Sequence, residues 1–138
     1  MSMALHDKPT KHWANVNRIS AFKAAKDGFQ TLWQQEFNFR LHLLITVSVL
    51  LLGVVFKLSP IEWCIIILLI GLVLLLEMIN SAIENVVDLV VGTQWHELAK
   101  RSKDIAAAAV TLSALIAVII GMIIFVPHLM AVFHAWIN

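Results

Sequence analysis

Three carboxylates, an amide and a hydroxyl recur in the stretch Glu77-Met78-Ile79-Asn80-Ser81-Ala82-Ile83-Glu84-Asn85-Val86-Val87-Asp88. An α-helix turns about 100° per residue, so Glu77, Asn80, Ser81, Glu84 and Asp88 fall within an arc of roughly 100°. Met78, Ile79, Ile83, Val86 and Val87 cover most of the remainder. Aligned acids of this kind can hold a divalent cation, take a proton from a substrate hydroxyl, or do both. The uncharged run 63–76 leads directly into Glu77, with neither glycine nor proline at the junction. Ionisable side chains that close to a greasy segment are costly and usually functional.

The elements that must position this stripe are those of an all-α membrane protein. The 138 residues suffice for a single domain over 1–138. A hydrophobic content of 60% and a mean hydropathy of +0.86 exceed the half-apolar composition of ordinary soluble domains. A net charge of +1 gives no reason to expect nucleic acid as a partner. The single Cys64 lies inside an apolar run, which excludes a disulfide framework.

Residues 1–15 read as a polar tail. Over 17–35, Ile19, Phe22, Ala25, Phe29 and Trp33 recur at helical spacing opposite Lys23, Asp27 and Gln30, the pattern of an amphipathic surface helix. A first transmembrane helix is expected over 39–57, its 18 residues from Phe39 to Phe56 rising roughly 27 Å. Pro60 ends that segment and opens a second helix over 61–91, with Trp63 as an interface anchor and Glu62 at the positive end of the helix dipole. Residues 63–76 span only about 21 Å, so Glu77 must lie near the far membrane boundary and Asp88 about 16 Å beyond it. Residues 92–97 form a turn. A third span is expected over 103–126, its small residues Ala106 to Ala109, Ser113, Ala114 and Ala117 suiting close helix approach. Pro127 is expected to break it, leaving 127–138 as a tail.

Lys8, Lys11, Arg18, Lys23, Lys26 and Arg40 precede or open the first span, and Lys100, Arg101 and Lys103 lie between the second and third. The first loop has only Lys57 and the last 35 residues have no Lys or Arg at all. The positive-inside bias puts the N-terminus and the acidic stripe on the cytoplasmic side. His42, beside Arg40, reads as an interfacial residue rather than a metal ligand.

Carboxylates, a lysine and an arginine at headgroup depth suit phosphoryl transfer to a lipid. Mg²⁺ takes one or two carboxylates plus phosphate oxygens, for which Glu36 and Glu84 are candidates. Glu77, the acid closest to hydrocarbon, could accept the proton of a lipid alcohol. No glycine-rich phosphate loop is present, so side chains and metal would have to grip a nucleotide. Two other classes compete: a small proton-coupled transporter using Glu77 as its membrane carboxylate, and a structural subunit whose Glu77, Asn80 and Ser81 merely glue helices.

The 77–88 stretch fits E-x-x-N-S/T-A-I-E-x-x-x-D, and is followed by His96-Glu97-Leu98-Ala99 and by Lys103-Asp104-Ile105-Ala106-Ala107-Ala108-Ala109-Val110. Together these closely resemble the prokaryotic integral-membrane diacylglycerol kinase family, over roughly residues 18–126. Phe37-Asn38-Phe39-Arg40-Leu41-His42 and Leu58-Ser59-Pro60-Ile61-Glu62-Trp63 look more like its Gram-positive branch, which prefers undecaprenol. One residue more separates Asp88 from His96 than in the Gram-negative pattern. The resemblance implies a homotrimeric kinase with sites shared between subunits, using ATP and Mg²⁺ on undecaprenol or diacylglycerol. It implies Glu77 as catalytic base contacting the lipid, and Glu36 and Glu84 as metal ligands. Asn80 and Ser81 would support them. Asp88, Lys103 and Asp104, the loop Gln94-Trp95-His96, and Arg18 would contact the nucleotide.

Overall fold

Ser59, Pro60 and Glu62 set the start of the central helix. Pro60 occupies a first-turn position where its missing N–H costs nothing, and Ser59 and Glu62 close a reciprocal capping box. The Ser59 N–H donates to Glu62 Oε2 at 2.7 Å, and the Glu62 N–H donates to Ser59 Oγ at 3.4 Å. In the computed structural model, which describes residues 18–137, this helix is the third of four. They are α1 (Arg18–Gln35), α2 (Phe37–Val55), α3 (Pro60–Val91) and α4 (Glu97–Ile137). The polar tail lies outside the described residues. So does the side chain of Arg18, although its backbone opens α1.

α3 packs most extensively on α4 and less so on α2, and α1 leans on α2 through Phe29 and Phe39, whose ring centroids are 6.1 Å apart. The connections are short, so successive helices run back on one another. Leu58, Ile66 and Ile124 form a buried cluster, with Phe56, Trp63 and Phe125 against it, at the end remote from the acidic stripe. Apolar side chains elsewhere on α2, α3 and α4 face outward on all sides, as helices in lipid do. These three helices are each long and apolar enough to cross a membrane. The outer faces of α1 carry exposed Phe22, Phe29 and Trp33.

One local feature differs from the sequence reading. Pro127 does not break the last span: α4 continues through it to Ile137. A proline removes one helical donor, whereas ending the helix inside hydrocarbon would strand several backbone groups at once. α4 begins at Glu97, six residues ahead of the span expected over 103–126, and His96 Nδ1 accepts from the Leu98 N–H at 3.2 Å at its first turn. Trp63 is half-buried. Gly53 leaves room for it: a Cβ there would stand 2.7 Å from Trp63 Cη2 and 3.2 Å from Leu58 Cδ1.

The chain leaves α2 through Lys57, whose φ of 52° is the left-handed conformation usually given to glycine at this point. Lys57 N–H then donates to Val54 O and Leu58 N–H to Gly53 O, which tucks Leu58 under the helix end. Gly92, with φ of 57°, ends α3. Gly53→Ala should therefore lower stability by about 1–3 kcal/mol despite its better helix propensity, because the Trp63 ring and Leu58 must shift to admit the methyl. Thermal unfolding in detergent measures this, and adding Trp63→Leu should restore part of the loss.

Candidate active site

The polar stripe of α3 passes from dry to wet along its length. Glu77, Asn80 and Ser81 are buried, with 2%, 7% and 2% exposure, Glu84 is half-buried, and Asp88 is exposed. Ser81 Oγ donates to the Glu77 carbonyl one turn back, at 3.1 Å, so its hydroxyl serves the helix itself. The Asn80 Nδ2 donates to Glu84 Oε1 at 3.0 Å and fixes that carboxylate. Asn80 Oδ1 is buried without a hydrogen-bond partner, an acceptor left for something the chain alone does not supply.

A second helix brings an acid to the same place. Glu36 sits at the break between α1 and α2, in extended conformation, and its side chain does not cap the helix that follows. Glu36 at this break, His42 of α2 and Glu84 of α3 are near enough for their charges to act on the Glu77 carboxylate. Sequence reading took this histidine for an interfacial residue, since its partner lies on another helix. The available signal was depth: His42 directly precedes the apolar run of α2, as Glu77 directly follows that of α3.

The remaining candidates meet at the α3–α4 turn. Asp88, Gln94, Trp95, His96, Lys103 and Asp104 line one open depression there, together with Lys100. Lys103 and Asp104 are not paired with each other. Lys103 Nζ donates to Asp88 Oδ1 at 2.6 Å, joining the two helices, while Asp104 takes Lys100 one turn earlier at 2.5 Å. Neighbours in sequence diverge on a helix, whereas residues four apart meet. Asp88 stands one turn beyond Glu84, so the depression adjoins the carboxylate cluster about 6 Å further along the axis.

This is a helical membrane protein with carboxylates at one end of its spans and a charged cleft just beyond them, the layout of an enzyme working on a membrane-held substrate. The family model described as prokaryotic diacylglycerol kinase matches residues 23–125, and the chain belongs to that family. It is a lipid kinase and a bacterial membrane protein. It is 43% identical over 121 residues to the undecaprenol kinase of Bacillus subtilis (strain 168), covering 86% of this chain and 96% of that one. It is 39% identical over 115 residues to a diacylglycerol kinase of Synechocystis sp., covering 83% of this chain and 66% of the other. With the diacylglycerol kinase of Escherichia coli (strain K12) the identity is 33% over 101 residues, covering 73% and 82%.

Kinase chemistry in this family implies a divalent metal. Among the described residues no group of three or more His, Cys, Asp or Glu is arranged to hold one. Carboxylates near Glu77 on two elements, with the donor-less amide oxygen of Asn80 beside Glu84, are the chemistry of a cation that draws its other ligands from phosphate and water.

The Asp88–Lys103 pair is substantially exposed, at 60% and 34% of the two side chains. Asp88→Asn should therefore cost less than about 1 kcal/mol in unfolding free energy. Denaturant titration in mixed micelles reads this directly, and a larger loss would make the pair a structural fastening.

Proposed function

We propose that this protein transfers the γ-phosphoryl group of ATP to the hydroxyl of a membrane lipid at the cytoplasmic face, undecaprenol being the first choice and diacylglycerol the second. The observation that carries this reading is the burial gradient along α3. An acid almost fully withdrawn from water is followed by one half in water and one in water, on a single stripe. An alcohol held in lipid and a triphosphate held in water meet only along such a line. The acids cluster at one end, which does not suit a transporter. The 43% identity to an undecaprenol kinase favours the polyprenyl alcohol.

In this reading Glu77 takes the hydroxyl proton as the alcohol oxygen bonds to the γ-phosphorus. The bond from that phosphorus to the β–γ bridging oxygen breaks, and ADP leaves with its electron pair. Glu36 and Glu84 would hold Mg²⁺, which would supply neutralisation of phosphate charge. Asn80 keeps Glu84 in place, Ser81 stiffens the helix at Glu77, and Lys103, poised by Asp88, faces the phosphates. Gln94, Trp95, His96 and Asp104 bound the nucleotide side, and Arg18, whose side chain lies outside the described residues, is kept as a further nucleotide contact on the strength of the resemblance.

The chain acts as one kinase domain with its N-terminus in the cytoplasm, following the distribution of lysine and arginine. α1 lies in the headgroup region, its Phe22, Phe29 and Trp33 in lipid. A homotrimer supplies the enclosure that one chain lacks, consistent with Asn80 Oδ1 finding no donor at home.

Purified protein given Mg-ATP and each lipid alcohol in turn tests the reading, and phosphate on neither alcohol would reject it. Glu77→Gln should lower turnover about 10²- to 10⁴-fold while leaving nucleotide binding nearly unchanged. Retained turnover would remove Glu77 as the base. Glu84→Gln should raise the Mg²⁺ concentration needed for half-maximal rate; unaltered metal dependence would reject its role as a ligand.

A further inference from the structure

An apolar slot of about 210 Å³ runs between α2, α3 and α4 from His42 towards Phe125. Its walls are aliphatic and aromatic apart from His42 and Thr46, and Ala114, Ala117 and Gly121 of α4 hollow out one side. Val73 of α3 lines it, and Glu77 is the next residue on the same face, one helical turn towards the acidic end. His42 is half-buried at that end and is one of the three groups that act on the Glu77 carboxylate. A lipid chain lying in the slot would bring its polar head between this imidazole and this carboxylate.

We propose that His42 is the hydrogen-bond partner that holds the acceptor hydroxyl at the mouth of the slot, facing Glu77. The assignment rests on the lipid-alcohol kinase reading above and extends it to the residue that recognises the alcohol. A hydroxyl has one donor and two lone pairs. Withdrawn from water, it needs partners for them. Its O–H donates to Glu77, one lone pair accepts from the His42 N–H, and the second stays free to attack phosphorus. During transfer the proton passes to Glu77 and His42 keeps its own. The imidazole therefore orients the nucleophile without taking part in the proton balance. Glu36 and Glu84, the other groups acting on Glu77, are acceptors only when ionised and cannot fill this place. On α4 the slot is lined by Ala114, Ala117, Val118, Gly121 and Phe125, none of which carries a side-chain donor.

The test uses the full chain in detergent without nucleotide, with a tritiated fifteen-carbon isoprenoid alcohol displaced either by its methyl ether or by the hydrocarbon of the same chain length. The ether cannot donate to Glu77 but keeps the lone pairs that accept from His42, and the hydrocarbon keeps neither. The wild type should prefer the ether about tenfold, the value of one net hydrogen bond of roughly 1.4 kcal/mol. His42→Phe fills the same space without a donor and should bind the two alike. His42→Asn retains an N–H and should keep part of the preference. In turnover, His42→Phe should raise KM for the lipid about tenfold and leave KM for ATP unchanged. No preference in the wild type, an undiminished preference in His42→Phe, or equal loss in both variants would overturn the assignment. A preference that His42→Phe abolishes, in a wild type that phosphorylates no alcohol, would reject the kinase reading and uphold the binding role.

Discussion

α3 is too long for the layer it crosses. Its 32 residues rise about 48 Å, against a hydrocarbon core of about 30 Å, so more than three turns must project beyond it. Which end projects is decided by side chains, since an unbroken apolar run from Ile65 to Leu76 leaves the acids at the other end. A continuous helix makes the projection rigid, and residues spaced three and four apart on it keep their facing as they pass from oil to water. Glu77 and Asp88 are thus held at set depths by one backbone. The gradient in burial follows from that geometry without any loop to build it.

The neighbouring helices complete what α3 alone cannot. α4 is longer still, at 41 residues, and the two are tied at both extremities. At the acidic end Lys103 meets Asp88, and at the other His128 Nε2 stands 3.0 Å from Glu62 Oε1, with Phe56 beside the imidazole. The interior between them is small side chains and a few large ones rather than a thick core, as expected where lipid supplies no hydrophobic pressure. α2 contributes what the pair lacks: the carboxylate of Glu36 at a helix break and the imidazole of His42 one and a half turns further on.

Much of this was legible in the chain because helical periodicity is a local property. The alignment of Glu77, Asn80, Ser81, Glu84 and Asp88 depends only on their spacing, as does the existence of three apolar spans. What depended on another helix was not legible. His42 looked interfacial because nothing in its own segment reveals Glu77 across from it. The ion pair of Lys103 with Asp88 joins residues fifteen apart on two helices, so no local spacing announces it. That Trp63 packs over Gly53, ten residues earlier, could not be read from the segment around either residue. Pro127 misled for a different reason: the rule that proline ends helices is drawn from water, where a freed carbonyl finds a partner at once.

The connections described above are all short, and each extensive helix contact, α1 with α2, α2 with α3 and α3 with α4, joins neighbours in the chain. Closing such loops sacrifices little entropy, and no early segment has to wait for a distant one before it can pack. Each helix of a protomer can dock on its predecessor as synthesis delivers it, so the order of residues along the gene is also a workable order of assembly.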